Sequence, residues 1–168
     1  FSAVEKKISE NGVETFKWGF IDKTGRIAIK IQFEKAGNFK EGLAKVKKDG
    51  KWGFIDITGR VVIPFQYGDV KSFKEGLCAV GVRTATPGSL TGETLKWGFI
   101  DKKGKVVIPL QFSNVSSFSE GLAVISDTKY QRRGNTVAID SSFGFIDKSG
   151  KIVIPVNYGM AKSFSEGL

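Results

Sequence analysis

The chain has 168 residues, of which 40% are hydrophobic, and its 26 Lys and Arg against 17 Asp and Glu give a net charge of +9. This composition is too apolar for a disordered coil, and no window reaches the run of about 18 apolar residues that a membrane-spanning helix needs. The absence of histidine excludes histidine-dependent triads and zinc sites, and the single Cys78 excludes an internal disulfide.

The chain opens with a predicted hairpin. FSAV at residues 1–4 fits a strand template that returns as LAKV, LCAV and LAVI at 43–46, 77–80 and 122–125. SENG at 9–12 ends in Asn-Gly, which is a strong signal for a two-residue hairpin turn.

The next predicted strand contains a word that recurs along the chain. KWGFID stands at residues 17–22, 51–56 and 96–101, and SFGFID stands at 142–147. Each copy places two aromatic rings on either side of a glycine, at Trp18 and Phe20, Trp52 and Phe54, Trp97 and Phe99, and Phe143 and Phe145. The recurrence predicts a fold of similar units, none of which can bury its apolar face alone.

A predicted turn follows every copy of this strand. In DKTGR at 22–26 the aspartate can accept backbone hydrogen bonds and the glycine suits a left-handed position, as in a three-residue hairpin loop. The aspartates are Asp22, Asp56, Asp101 and Asp147, the glycines are Gly25, Gly59, Gly104 and Gly150, and the bases that follow are Arg26, Arg60, Lys105 and Lys151.

The strand after each turn alternates apolar and polar residues, as in IAIKIQF at 27–33, so one of its faces should lie on a core. Pro64, Pro109 and Pro155 lie inside the later copies, and Lys30 replaces proline in the first. Because proline cannot donate to a hydrogen-bond ladder, this stretch is predicted to be an edge, a bulge or the end of the strand.

These recurring sequence motifs predict one all-β repeat domain at 1–168. Its units are expected at residues 17–50, 51–95, 96–142 and 143–168, with 1–16 supplying the third strand and hairpin of a preceding or closing unit. Each unit is predicted to be a short three-stranded antiparallel meander, stacked or wound on its neighbours. The sequence leaves open a superhelical array, a propeller-like closed ring, and a longer array of which these units are a part.

The units differ in length at one hairpin tip. Inserts at 83–93 and 129–141 replace the short turn KKDGK of residues 47–51. Insertions confined to one corner of a repeat often lie on the binding face, so these two segments are candidates for contacts with a partner.

The order KWGFID, then G[KR]-x-[VA]-I-P, then F-x-EGLA-x-V resembles the WG repeat family, tandem β-repeats found mainly in bacterial proteins. The resemblance covers about the whole chain, and its departures are Lys30, Phe143 and the inserts. It implies a non-enzymatic interaction module, often in multidomain or surface proteins, without a cofactor. On this resemblance a cell-surface or secreted location is favoured over a cytoplasmic one.

The aromatic word and the recurring acids each have two interpretations. The rings could form a stacking ladder for sugars or bases, but Phe143 keeps the packing and loses the indole N–H, which favours a structural core. The acids lack the spacing of a calcium loop, so the aspartates are expected to form turns. Glu41, Glu75, Glu120 and Glu166, each before a glycine, are expected to accept backbone N–H groups. Four equivalent acids also argue against catalysis, which needs one asymmetric constellation.

The basic residues form the remaining candidate site. If the units stack in register, Lys17, Lys51 and Lys96 before the aromatic word, together with Arg26, Arg60, Lys105 and Lys151 after the turn, would form a stripe that binds an acidic polymer. The alternative is that charged hairpin ends keep the surface soluble and the strand edges unpaired. We therefore expect a non-enzymatic scaffold for a protein partner, with binding of nucleic acid or an anionic glycan as the second hypothesis.

Overall fold

The computed structural model describes residues 1–10, 12–86, 89–133 and 136–165, so Asn11 and Glu166 of the predicted turns lie outside it. That part of the chain contains strands and no helix, which confirms the predicted all-β class. The strands are β1 (Ser2–Glu10), β2 (Val13–Ile21), β3 (Ile27–Phe33), β4 (Lys35–Ala36), β5 (Ala44–Lys48), β6 (Lys51–Ile55), β7 (Val61–Tyr67), β8 (Asp69–Val70), β9 (Cys78–Ala85), β10 (Glu93–Ile100), β11 (Val106–Phe112), β12 (Asn114–Val115), β13 (Leu122–Arg133), β14 (Thr136–Asp147) and β15 (Ile152–Tyr158).

The chain divides into two compact units, Phe1–Ser72 and Phe73–Leu168. The first unit holds sheet 1, in the order β1-β2-β3, and sheet 2, in the order β4-β5-β6-β7. The second unit holds sheet 3, built on β9, β10 and β11, and sheet 4, in the order β12-β13-β14-β15. The long strands in each sheet pair antiparallel with their sequence neighbours, so each sheet is the predicted meander.

The sheets are shifted by one strand from the sequence units. β5, the LAKV strand, pairs with the following β6 through Val46 opposite Gly53, and β1 pairs in the same way with β2. A unit that starts at KWGFID therefore gives its first two strands to one sheet and its third to the next. This exchange ties neighbouring repeats together through the chain itself.

The last strand of each sheet carries a bulge at the position of the prolines. In sheet 2, Trp52 lies opposite Tyr67 while Phe54 lies opposite Ile63, so β7 has two extra residues there. Pro64 lies in this stretch of an edge strand, as its missing N–H group requires. A Cβ added to Gly53 would come within 2.7 Å of the Ile63 carbonyl oxygen, so only glycine lets the bulged strand cross this close.

The two faces of each sheet differ in composition. One, the aromatic face, carries the rings of the recurring word, as Trp52 and Phe54 do in β6. The other, the glycine face, carries the intervening glycine together with a small residue, a β-branched residue and an isoleucine. On the glycine faces of sheets 2, 3 and 4 these residues are no more than 1% exposed: Ala44, Val46 and Ile55; Cys78, Val80 and Ile100; Ala123, Ile125 and Ile146.

The core of each unit lies where the aromatic face of one sheet packs on the glycine face of the next. In the first unit, one buried cluster joins Phe20, Ile29 and Phe33 of sheet 1 with Ala44, Val46 and Ile55 of sheet 2. In the second, a cluster joins Trp97, Phe99 and Ile108 of sheet 3 with Ala123, Ile125 and Ile146 of sheet 4. Burial of these side chains, at about 25 cal/mol per Å² of apolar surface, is the main favourable term in folding.

A second recurring turn precedes the first long strand of each later sheet. Glu41 and Gly42 have φ of 51° and 89°, and Lys40 and Leu43 on either side exchange two backbone hydrogen bonds of 2.8 and 3.0 Å. Two successive left-handed residues make this a tight primed hairpin turn, usually built on Asn-Gly. Glu75 and Glu120 also have positive φ, and a glutamate in that conformation costs about 1 kcal/mol or more.

Contacts between repeats compensate for this strain at Glu75. Its carboxylate accepts a hydrogen bond of 3.1 Å from the Gly121 amide, in the equivalent turn of the next repeat, and lies 3.0 Å from Lys148 Nζ. Burial raises the pKa of Glu75, but the hydrogen bonds from Lys148 and Gly121 more than offset it and leave the pKa below its usual value. Glu75 thus joins three successive repeats, which the sequence expectation of a simple backbone acceptor did not include.

Candidate functional site

The longest hairpin of the structure borders a groove in the second unit. β13 and β14 are 12 residues long each, against five each for β5 and β6, because the insert at 129–141 extends them. The groove has a volume of about 440 Å³, within the range of ligand sites. It is lined by Gln111, Phe112, Ile125, Ser126, Asp127, Lys129, Asp140, Ser142, Ile152 and Val156.

The strand register explains why polar and apolar groups meet here. Asp127 lies directly opposite Ser142, and Lys129 lies directly opposite Asp140, on the glycine face of sheet 4 beyond its buried part. Phe112 comes from the end of β11 in the preceding sheet, so the groove lies at the junction of two repeats.

The charges of the groove are unevenly matched. Lys129 stands opposite Asp140 in the strand register, and Ser142 stands opposite Asp127. Within the described residues the exposed carboxylates of Asp127 and Asp140 have no hydrogen bond or ion pair. Phe112 and Val156 are half-buried and belong to the rim of the apolar cluster below. The groove therefore offers an apolar floor and two carboxylates against one lysine, with Asp127 the acid that has no base opposite it in the register.

A second, more open groove lies on sheet 1. It has a volume of about 580 Å³ and is lined by Lys6, Lys7, Ile8, Ile27, Lys30 and Ile31. Lys7 forms an ion pair of 2.6 Å with Glu14. Lys6 lies directly opposite Lys17 across the strands, and within the described residues Lys6, Lys17 and Lys30 have no acidic partner.

The predicted basic residues fall into two groups rather than one stripe within each repeat. In sheet 2, Lys51 begins β6, while Arg60 follows the turn at the other end of that strand. Lys17 and Lys96 lie inside β2 and β10, whereas Arg26 and Lys105 follow the turns after these strands. Lys51 lies directly opposite Lys48, as Lys17 lies opposite Lys6, so two repeats share a cross-strand lysine pair.

The predicted aromatic residues differ in how deeply their side chains are buried. Phe20, Phe54 and Phe99 are no more than 1% exposed and Phe145 is 9% exposed. Trp97 is also buried, because Gly81 opposite it leaves room for the indole ring to lie across the strand. Trp18, Trp52 and Phe143 are half-buried, and Lys45 Nζ lies 5.4 Å from the centre of the Trp52 ring.

The predicted turn aspartates use their carboxylates on their own loops. Asp56 Oδ1 accepts hydrogen bonds from the Thr58 amide at 2.9 Å, the Thr58 hydroxyl at 2.6 Å and the Arg60 amide at 3.1 Å. Asp22 and Asp147 do the same with Thr24 and Ser149, and Asp101 accepts only from the amides of Lys103 and Lys105. The glycines of these turns, Gly25, Gly59, Gly104 and Gly150, all have positive φ.

The part of the chain that the structure describes offers neither a metal cluster nor a membrane-spanning helix. No group of three or more Cys, Asp or Glu there is placed to hold a metal ion. No helix there has the length and apolarity to cross a membrane. Cys78 is buried, with its thiol 3.4 Å from the Ala79 carbonyl oxygen.

Sequence reasoning located the insert but missed most of the groove. The local sequence predicts only ordinary strand positions for Gln111, Phe112 and Val156, because no local pattern shows which repeat these residues face. The alternation of Asp127 with Lys129, and of Asp140 with Ser142, was the available signal. It places polar groups on the glycine face, at the position where sheets 1 and 2 carry the lysine pairs Lys6–Lys17 and Lys48–Lys51.

Antiparallel sheets of similar sequence, two in each unit, define the protein as an all-β tandem repeat. A family model described as WG containing repeat matches residues 18–52, 52–82, 97–127 and 143–168. The chain belongs to the WG repeat family. Neither a search of curated proteins nor a search of solved structures found a match.

We expect the turn aspartates to make stability depend on acid. Hydrogen bonds led by that of the Thr58 hydroxyl hold the pKa of Asp56 below its usual value. Their stabilising contribution is complete above the unfolded-state pKa of about 3.9 and is lost as the pH falls through the lower folded-state pKa. Urea unfolding of the wild type and Asp56→Asn from pH 7 to pH 2 should show the wild type losing more stability. Thr58→Val should give an intermediate pH dependence, and identical pH profiles for all three proteins would contradict this role.

Proposed function

We propose that this WG-repeat chain is a non-enzymatic scaffold that binds a protein partner in the groove beside the β13–β14 hairpin. The observation that carries the proposal is the unpaired Asp127 carboxylate above an apolar floor that includes Phe112 and Val156. An open groove of this kind accepts a side chain with an apolar stem and a cationic tip. The partner segment would therefore present Lys or Arg next to an apolar residue.

A recurring exposed position supports the scaffold role. The first residue of each bulged strand is β-branched and largely exposed: Ile27 at 60%, Val61 at 44%, Val106 at 46% and Ile152 at 53%. Each follows one of the bases Arg26, Arg60, Lys105 and Lys151. Ile152 also lines the groove. The core of a protein interface is more apolar than the rest of the surface, so in the second unit Val106 and Ile152 could extend the contact surface beyond the groove.

The proposal of a non-enzymatic role rests on the hydrogen bonds and ion pair that the recurring acids already form. Asp22, Asp56 and Asp147 accept three hydrogen bonds each from their own loops, and Glu75 is held by another turn and a lysine. Groups engaged in this way hold the fold and are not free to transfer protons to a substrate.

Selection from a displayed random-peptide library tests the groove. The chain should enrich peptides with Lys or Arg beside an apolar residue, and Asp127→Asn should weaken their binding about tenfold, as loss of one charge-assisted hydrogen bond does. Glu93→Gln removes a carboxylate from another exposed site in the same unit and should leave binding unchanged. Selected peptides that bind Asp127→Asn as well as the wild type would contradict the proposal.

The cross-strand lysine pairs favour a second candidate, binding of an acidic polymer. Like charges directly opposite each other on adjacent strands are destabilising, yet Lys6 with Lys17 and Lys48 with Lys51 occupy equivalent positions in sheets 1 and 2. A polyanion along this side of the first unit would relieve the repulsion.

Heparin binding at increasing salt tests this candidate. Affinity should fall steeply with salt concentration, and Lys6→Gln with Lys17→Gln should reduce the slope of log K against log salt by about two. Lys35→Gln with Lys40→Gln makes the same charge change at exposed positions in the same unit and should reduce it less. Salt-insensitive binding, or equal effects of the two double variants, would contradict a site at the lysine pairs.

A further inference from the structure

The part of β14 that the insert extends has no strand on one of its two sides. β14 pairs with β13 along its whole length, but its pairing with β15 ends where Phe143 lies opposite Tyr158, which is 51% exposed. From Thr136 to Ser142, no other strand within the described residues bonds to that side of β14. This stretch is therefore an open sheet edge beside the groove.

The hydrogen-bond ladder shows which backbone groups face the open edge. The Ser126 carbonyl accepts a bond of 3.0 Å from the Ser113 amide, so the backbone groups of Ser126 point away from β14. Phe143 lies opposite Ser126, and its groups therefore point away from β13. Because this direction alternates along a strand, the residues whose N–H and C=O groups point to the open edge are Val137, Ile139 and Ser141.

A following repeat does not cover this edge in the rest of the chain. β2 pairs with β3 only from Trp18 onward, and β10 pairs with β11 only from Trp97 onward. Each of these sheets is followed by another sheet in the same unit. Among the described residues, no strand of that following sheet pairs with the stretch before the tryptophan.

The edge of β14 lacks the residues that usually block strand addition. Lysine and proline on an edge discourage pairing with another chain, and β2 and β10 carry Lys17 and Lys96 just before the tryptophan. Ser142 takes that position in β14, and the stretch 136–142 contains no lysine, arginine or proline. Ile139, a residue that favours strands, is 56% exposed there.

We propose that the partner segment binds as an added strand, antiparallel to β14 along 136–142 and in line with β15. This inference rests on the proposed function, because it gives the binding mode of the same partner. Alternate residues of the segment exchange backbone hydrogen bonds with Val137, Ile139 and Ser141. The residues between them project on the glycine face, where the groove lies.

The charges on that face select a basic segment of another protein. Asp140 belongs to the edge strand itself, and Asp127 lies on β13 opposite Ser142. Because the Ser142 side chain is short, a lysine of the added strand can extend over it to Asp127. Two copies of this chain paired through the same antiparallel edge would instead place both Asp140 carboxylates on one face, where like charges repel.

Backbone N-methylation of a peptide tests the added strand. The probe is a labelled peptide of about seven residues that alternates lysine and valine and begins with lysine, so that its valines match the outward-facing residues of β14. In an antiparallel pair, the residues that bond to β14 share the aromatic face with Ile139. Fluorescence anisotropy should show binding to the wild type, with methylation of the middle valine weakening it about tenfold. Methylation of the next lysine should leave binding unchanged.

A pair of proline variants tests the edge from the side of the protein. Ile139→Pro removes an N–H group that points to the open edge and should weaken the unmethylated peptide about tenfold. Tyr130→Pro is the control, because Tyr130 lies directly opposite Ile139 and its groups point to the other edge of the hairpin. It should bind the peptide like the wild type. The methylated peptides are measured on the wild type, so that measurement does not depend on whether the variants fold.

The outcomes separate this inference from the proposed function. Binding that Asp127→Asn weakens, but that tolerates methylation at every position, would overturn the added strand and leave the groove as the partner site. A wild type that does not bind the peptide, or an Ile139→Pro variant that binds it as tightly as the wild type, would also overturn the added strand. The peptides selected from the random library test the proposed function separately.

Discussion

The packing of an aromatic face on the glycine face of the next sheet is the contact on which the structure depends. Neither face can be buried within its own sheet, because three or four strands form a single layer. The glycine between the two rings makes the stacking possible on the other side. At Gly98 a Cβ would lie 2.5 Å from the Ile108 carbonyl oxygen, so a larger residue would push the bulged strand away from the sheet. The ring-glycine-ring motif thus determines the composition of both faces of the sheet.

The hairpin tips can vary in sequence and length because they lie outside this core contact. The core contact uses only the part of each sheet near the turn aspartates, and the strands beyond it project past the buried layer. In sheet 4 that projection carries Asp127 and Asp140 beside the groove, and in sheet 1 it carries Lys6 and Lys17. Different chemistry can therefore be presented at the same repeat position without changing the core, which is the property a binding scaffold requires.

Most of the fold could be predicted from the sequence because its signals are local and repeated. Alternating apolar residues and the turn after Asp56 define strands and hairpins within a few residues. The one-strand shift between the sequence units and the sheets could not be predicted. The strand LAKV at 43–46 fits the end of one meander as well as the start of the next. The groove depends on Phe112 and Val156 meeting across a repeat junction, and the exposure of Tyr158 depends on what covers its sheet. The groove and the exposure of Tyr158 both depend on how sheets pack on one another, which no single sequence motif shows.

A double-mutant cycle across the first interface tests this account most directly. Phe33 of sheet 1 and Val46 of sheet 2 belong to one buried cluster, so Phe33→Leu and Val46→Ala should destabilise the protein with a coupling energy of about 0.5 kcal/mol or more. Phe33→Leu with Ile63→Val, on the opposite face of sheet 2, should be additive within about 0.3 kcal/mol. Free energies from urea unfolding measure both cycles. Additivity between Phe33 and Val46 would contradict the claim that the aromatic face of one repeat is stabilised by the glycine face of the next.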